Sequence, residues 1–388
     1  MGQRLTARDL LEKLVSFPTV SRDSNLELVD WVEAYLDGHG VSARRVYDDA
    51  RTKASLYANV GPEIEGGILL SGHTDVVPVD GQDWATDPWT VTEKDGRLFG
   101  RGTCDMKGFD ALALAAVPLA LERGVKRPLQ IALSRDEEIG CIGAPPMIDE
   151  MLGVLPKASA AIIGEPSMMK AVTGHKGGTG FQVHLKGFEV HSSLMHTGVN
   201  AIMYAAKLIE WANKMNAANM AKKPGPLAAI FEPPFTTVHV GTISGGTAHN
   251  ITAGDCRMGL DFRCVPGEDL DDWIAAFHAK VAEVEGEMKA VHPDAGIALD
   301  QYFAIPGLQP EDAGRAEAIA RAITGDNATH VVSYGTEAGQ FQERGFSSVI
   351  CGPGNIAQAH QPNEYISIEQ FEAGERFVHA VVDQLTQE

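Results

Sequence analysis

Three short apolar runs, each opening onto histidine or acidic residues, limit what this chain can fold into. Ile68, Leu69 and Leu70 lead into Ser71-Gly72-His73-Thr74-Asp75; Leu129 to Leu133 lead into Ser134-Arg135-Asp136-Glu137-Glu138; Ala160 to Ile163 lead into Gly164-Glu165-Pro166. A run without alternation reads as a strand buried on both faces, which is the strand type of a parallel sheet covered by helices. Functional groups in such sheets gather beyond the carboxyl ends of the strands, and that is where these residues stand.

Helical periodicity separates the runs. Thr6 is placed to cap a helix from Ala7, Leu26 to Leu36 is amphipathic and stopped by Gly38 and Gly40, and Gly108 to Leu121 is an apolar helix. The expected fold is therefore α/β, with a mostly parallel sheet flanked by helices. After about Gly174 the pattern changes to strand-helix-strand-strand-helix-strand, typical of a small α+β sandwich, and from Gly307 the first pattern resumes. The boundaries expected are a first catalytic part over 1–175, an inserted dimerisation or lid domain over 176–303, and a second catalytic part over 304–388.

Bulk properties narrow the partners. With 388 residues, two domains are expected. Lys+Arg 32 against Asp+Glu 52 gives a net charge of −20, which argues against nucleic acid and anionic membrane surfaces. The five cysteines are odd in number and include no Cys-x-x-Cys pair, so neither a disulfide framework nor a thiolate metal site is indicated, and a reducing cytoplasm fits. Met1 to Val15 carries Arg4, Arg8, Asp9, Glu12 and Lys13, and the sequence has no run of about 18 apolar residues, so neither a secreted nor a membrane-spanning chain is expected. Gly100-Arg101-Gly102 matches no phosphate-loop pattern.

The candidate metal ligands are His73, Asp105, Glu138, Glu165 and His360, a nitrogen and carboxylate set suited to zinc, cobalt or manganese in hydrolysis. With Asp105 bridging, each of two divalent ions has one His, one Glu, the shared Asp and a water. Side chains alternate along extended backbone, so Asp75 can reach the ring of His73, and Glu137 can face the water as general base while Glu138 binds metal. Taken singly, a His-x-Asp is more often a satisfied loop histidine, and an acidic pair more often a solvated loop.

Together these blocks resemble the metal-site blocks of the dinuclear zinc amidohydrolases of the M20 peptidase type: Ser71 to Asp75, Gly100-Arg101-Gly102 to Asp105-Met106-Lys107-Gly108, Asp136-Glu137-Glu138, Gly164-Glu165-Pro166 and His360. The resemblance implies a two-domain fold, Zn2+ or Co2+, with His73, Asp105 and Glu165 on one ion and Asp105, Glu138 and His360 on the other. Tyr334-Gly335-Thr336-Glu337-Ala338 and Cys351-Gly352-Pro353-Gly354 to Tyr365 are similar to the branch of the family that deacetylates N2-acetyl-L-ornithine. That branch implies a cytoplasmic homodimer in arginine biosynthesis and a response to cobalt and glutathione. A desuccinylase acting on succinyl-diaminopimelate, or another N-acyl amino-acid amidohydrolase, is the alternative.

By the same resemblance, Gly187 to Ser193 is the segment whose histidine, here His191, reaches an active site and stabilises the oxyanion. Asn250 and Arg263 match substrate-facing positions. Arg263 suits the α-carboxylate of an N-acyl amino acid, an ion pair on the insert's own sheet being the other possibility. Glu337 is a candidate partner for the substrate's ammonium.

Overall fold

A computed structural model describes residues 4–387; the first three residues of the N-terminal stretch discussed above lie outside the described residues. The chain divides into two compact units, one made of the residues up to Gly174 with Pro310–Val331 and those from Thr336 onward, the other of His175–Gln309 with Val332–Gly335.

In chain order the first unit opens with α1 (Ala7–Val15), α2 (Leu26–Gly38), β1 (Ala43–Tyr47), β2 (Ala54–Val60), β3 (Ile68–His73), β4 (Thr92–Lys94), β5 (Arg97–Phe99), α3 (Lys107–Arg123), β6 (Leu129–Ser134), α4 (Ala144–Val154), β7 (Ala160–Pro166) and β8 (Val172–His175). The inserted unit contributes β9 (Gly177–Lys186), α5 (Ala201–Ala221), β10 (Thr237–Gly245), β11 (Asp255–Cys264), α6 (Leu270–Val291) and β12 (Gly296–Ile305). The chain closes with α7 (Arg315–Thr324), β13 (His330–Val332), α8 (Ala338–Glu343), β14 (Ser348–Gly352), β15 (Tyr365–Ser367) and α9 (Ile368–Gln387).

The large sheet runs β1-β2-β6-β3-β7-β14-β8-β13. Its centre, β6-β3-β7-β14, is parallel throughout, with His73 opposite Ser134 and Ile350 opposite Ile163, whereas β1, β2 and β8 join antiparallel. The sheet is thus mixed, with a parallel centre whose strands β3, β6 and β7 are buried along their whole length, as their unbroken apolar runs require. Parallel pairing brings the carboxyl ends of these strands to one edge, which is what assembles the site.

Helix α3 lies across that edge. Two glycines let it approach: a Cβ on Gly72 would stand 2.0 Å from Asp110 Oδ1, and one on Gly164 would stand 2.0 Å from the Phe109 ring. The first turn of α3 is thereby seated directly against β3 and β7. Thr6 caps α1 in a reciprocal pair with Asp9.

In the inserted unit, the antiparallel sheet β10-β11-β9-β12 is covered by α5 and α6 around a core of Phe181, Leu208, Phe262, Phe277 and Val284. The expected strand-helix-strand-strand-helix-strand order is present, β12 included, and β10 forms one edge of the sheet.

Candidate metal centre

His73 closes β3, Glu165 stands next to last in β7, Glu137 and Glu138 follow β6, Asp105 precedes α3, and His360 lies in the loop between β14 and β15. These residues meet at the sheet edge. His73 Nε2 is 3.1 Å from Asp105 Oδ1 and 3.8 Å from Glu165 Oε1. On the other side, His360 Nε2 is 3.3 Å from Asp105 Oδ2 and 2.9 Å from Glu138 Oε2. Asp105 therefore turns one carboxylate oxygen toward each histidine.

Ligand atoms of His73, Asp105 and Glu138 lie within 4.8 Å of one another, and so do those of His73, Glu137 and Glu165. Glu137 thus stands beside His73 and Glu165, and Cys141 Sγ donates a hydrogen bond to its Oε1 at 3.2 Å.

Asp75 differs from expectation in detail. His73 Nδ1 meets the backbone carbonyl of Asp75 at 2.8 Å, while the nearest carboxylate oxygen is 3.7 Å away. A carbonyl can only accept, so Nδ1 carries a proton, which leaves Nε2 as the ring nitrogen that faces the cluster. The Asp75 carboxylate instead accepts from the backbone N–H groups of Glu137 at 3.1 Å and Glu138 at 3.3 Å and from the Ser21 hydroxyl at 2.6 Å. It fixes the two acids rather than the imidazole. Their loop is further held by Asp136, which pairs with Lys53 and Arg135, each at 2.5 Å.

Crowded carboxylates leave an electrostatic imprint. Burial, followed by the charge of Asp105, pushes Glu138 up to about 8 and Glu165 well above the usual carboxylate range. Burial would also raise Asp105, but hydrogen bonds from His360 and His73 hold it below its ordinary value. Donating to the Asp105 and Glu138 carboxylates lifts His360 to about 10. Across the His360–Glu138 contact both groups are thus driven to hold their protons. Such an oxygen and nitrogen donor set, short of positive charge and free of sulfur, fits divalent cations.

A prediction follows from these directions. In chelator-treated protein, Glu138 and His360 stand above their ordinary values of 4.5 and 6.5, so the folded state holds more protons than the unfolded chain. Their stabilising contribution is complete below those ordinary values and is lost as pH rises toward about 8 and about 10. The Tm of stripped protein is expected to fall on going from pH 6 to pH 9, with added Zn2+ restoring it most at the alkaline end, since cations displace those protons. A stripped protein whose Tm rises over that range contradicts the assignment.

The remaining candidates divide between the two units, Glu337 in the first and His191, Asn250 and Arg263 in the inserted one. Glu337, expected at the substrate's ammonium, is 1% exposed at the start of α8 and accepts from the Ser134 hydroxyl. Burial, then the charge of Glu137, pushes it up to about 8, so at neutral pH it is a mostly uncharged acid of the interior. Arg263 is paired with Asp261 at 3.1 Å on β11, the ion pair of the alternative. His191 and Asn250 are neighbours within the inserted unit, joined by the Ser192 N–H donating to the Asn250 carbonyl at 2.9 Å. The Ser193 N–H donates to His191 Nδ1 at 3.3 Å, so the neutral ring bears its proton on Nε2, as an exposed donor.

Sequence reasoning missed Ser21, Gln82, Cys141 and the role of Glu364. They belong to no periodic pattern, and hold backbone or carboxylate by contacts that only the folded chain reveals.

The fold and this cluster define a metal-dependent hydrolase, and the chain belongs to peptidase family M20/M25/M40, whose pattern its residues 69–384 match. Within the family its similarity is to acetylornithine deacetylases. The enzyme of that name from Myxococcus xanthus is 36% identical over 93% of each chain, and that of Pasteurella multocida is 33% identical over 92% of each. A solved M20 metallo-carboxypeptidase from Sulfolobus solfataricus shares the fold, with a TM-score of 0.80 at 17% identity, covering 99% of this chain and 100% of that one.

Proposed function

We propose that this amidohydrolase cleaves N2-acetyl-L-ornithine to L-ornithine and acetate at a dinuclear centre. The observation that carries the reading is Asp105, whose two oxygens face His73 and His360 separately, as a bridging ligand must. Similarity to acetylornithine deacetylases along nearly the whole chain supports the acyl group and the amine.

In this proposal His73, Asp105 and Glu165 would hold one ion and Asp105, Glu138 and His360 the other, Zn2+ or Co2+ in either place. Bound there, two such cations polarise the acetyl carbonyl and make water a nucleophile at neutral pH. Glu137, raised by burial and hydrogen-bonded to Cys141, takes the proton of that water and delivers it to the leaving nitrogen. His191 offers its Nε2–H to the oxyanion. Arg263 would leave Asp261 to grip the α-carboxylate, and Asn250 would supply a neighbouring polar contact.

A cytoplasmic homodimer serving arginine biosynthesis completes the proposal. Ile243 at the end of the edge strand β10 and Ile202 and Met203 on α5 are 41–56% exposed, an apolar surface suited to a second copy. Among the described residues, no helix is long and apolar enough to cross a membrane.

The test is amine release from a panel of N-acetyl, N-succinyl and N-formyl amino acids by Zn2+- or Co2+-loaded protein, with a chelated control. A chelator-sensitive preference for N2-acetyl-L-ornithine is expected. Preference for a succinyl substrate would replace the acyl group and leave the metal chemistry in place.

A further inference from the structure

The two backbone segments that carry Asp105 and His360 are far apart in sequence, and one buried cation joins them. Arg101 is 0% exposed and Glu364 is 1% exposed. Arg101 Nη1 donates to Glu364 Oε2 at 2.7 Å, and Arg101 Nη2 donates to Gln82 Oε1 at 2.5 Å. The partners pass this on to the two segments. Glu364 Oε1 accepts from the backbone N–H groups of Cys104 at 2.9 Å and Asp105 at 3.0 Å. Gln82 Nε2 donates to the backbone carbonyl of His360 at 3.0 Å.

His360 needs such a tether. Its side chain is 52% exposed, so packing holds it weakly, and its φ of +62° is a left-handed conformation unusual for a residue with a Cβ. Asn363 in the same turn also has a positive φ, of +59°, and its side chain accepts from the Ala85 N–H at 2.7 Å. With Asn363 Nδ2 donating to the Asp83 carbonyl at 3.3 Å, the segment 82–85 is stitched three times to the segment 360–363. Trp84 Nε1 donates to the same Gln82 oxygen at 3.1 Å, which fixes the amide so that its N–H points at His360.

We propose that Arg101, Gln82 and Glu364 are positioning residues of the metal centre: the guanidinium fork sets the gap between the bridging Asp105 and His360, and Gln82 holds the His360 backbone in register. The proposal rests on the dinuclear reading. It assigns the pair Arg101–Glu364 to the geometry of the site, since a buried ion pair of this kind adds little net stability. Lysine cannot replace the arginine, because a single ammonium cannot address Glu364 and Gln82 along the two arms of a planar fork.

The experiment is Co2+ titration of chelator-treated protein, followed by visible d–d absorption and by metal retained per chain after gel filtration, with thermal melting in parallel. Wild type is expected to bind two ions. Gln82→Met, at a half-buried position, is expected to keep the Tm within a few degrees and one ion at wild-type affinity, and to weaken the other 10- to 100-fold, the usual effect of losing an outer hydrogen bond to a ligand. His360→Ala, as reference, loses that same ion. Arg101→Lys is expected to weaken both.

Wild-type affinity for both ions in Gln82→Met overturns the clamp while leaving the dinuclear centre standing. A wild type that binds fewer than two ions overturns the clamp and the dinuclear reading together. Should Arg101→Lys fail to fold, Gln82→Met still decides.

Discussion

Glu137→Ala is expected to retain two metal ions per chain and to lose about 10²- to 10⁴-fold in kcat, the usual contribution of a general base. The separation of the two effects comes from how the loop is held. The Glu137 backbone N–H is fixed by the Asp75 carboxylate, and Glu138 is fixed by the same group, so removing the Glu137 side chain leaves the ligand beside it in place. Glu137→Gln keeps the shape and loses the base, and it is expected to be as slow as the alanine variant. Single-turnover kinetics with parallel metal analysis measures both quantities. Retained turnover in either variant would remove Glu137 from proton transfer; loss of metal would make it a ligand, which its position within reach of His73 and Glu165 makes a real alternative.

Asp105→Ala is expected to have the larger structural consequence. Its two oxygens address His73 and His360, and no other described side chain contacts both imidazoles in this way. Without it, Glu138, Glu165 and the histidines cannot share a charge, so occupancy is expected to fall below one ion per chain, with turnover reduced beyond the roughly 10- to 100-fold seen when only an outer contact is lost. Asp105→Asn, which retains the shape and drops the charge, distinguishes the bridge from mere packing. Two ions bound at wild-type affinity in the asparagine variant would contradict a bridging role.

Much of the fold was legible because burial writes itself into sequence. The runs Ile68–Leu70, Leu129–Leu133 and Ala160–Ile163 became β3, β6 and β7, and the acidic or histidine residues beyond them came to one edge because the three strands are parallel. The antiparallel flanks β1, β2 and β8 were not foreseen as such, since strand direction depends on connections that apolar periodicity does not encode. Helix α8 and the small sheet β15-β5-β4 also escaped, being too short to show a period. At the site, residue types and spacing indicated which side chains would meet. The manner of holding them did not show: Asp75 orients His73 through its carbonyl, and Glu337 lies inside the protein beside Ser134. Contacts of this sort leave no trace in residue identity.

His360 comes after the inserted unit in the order of synthesis, whereas the other candidate ligands come before it. A ribosome that has completed β7 has already produced His73, Asp105, Glu138 and Glu165, yet the last histidine and the Glu364 that holds the Asp105 backbone come only after nearly two hundred further residues. In the proposed centre the second metal position is complete only once residues 360–364 have been made, so chains truncated before His360 are expected to hold fewer than two ions, however well their first strands fold.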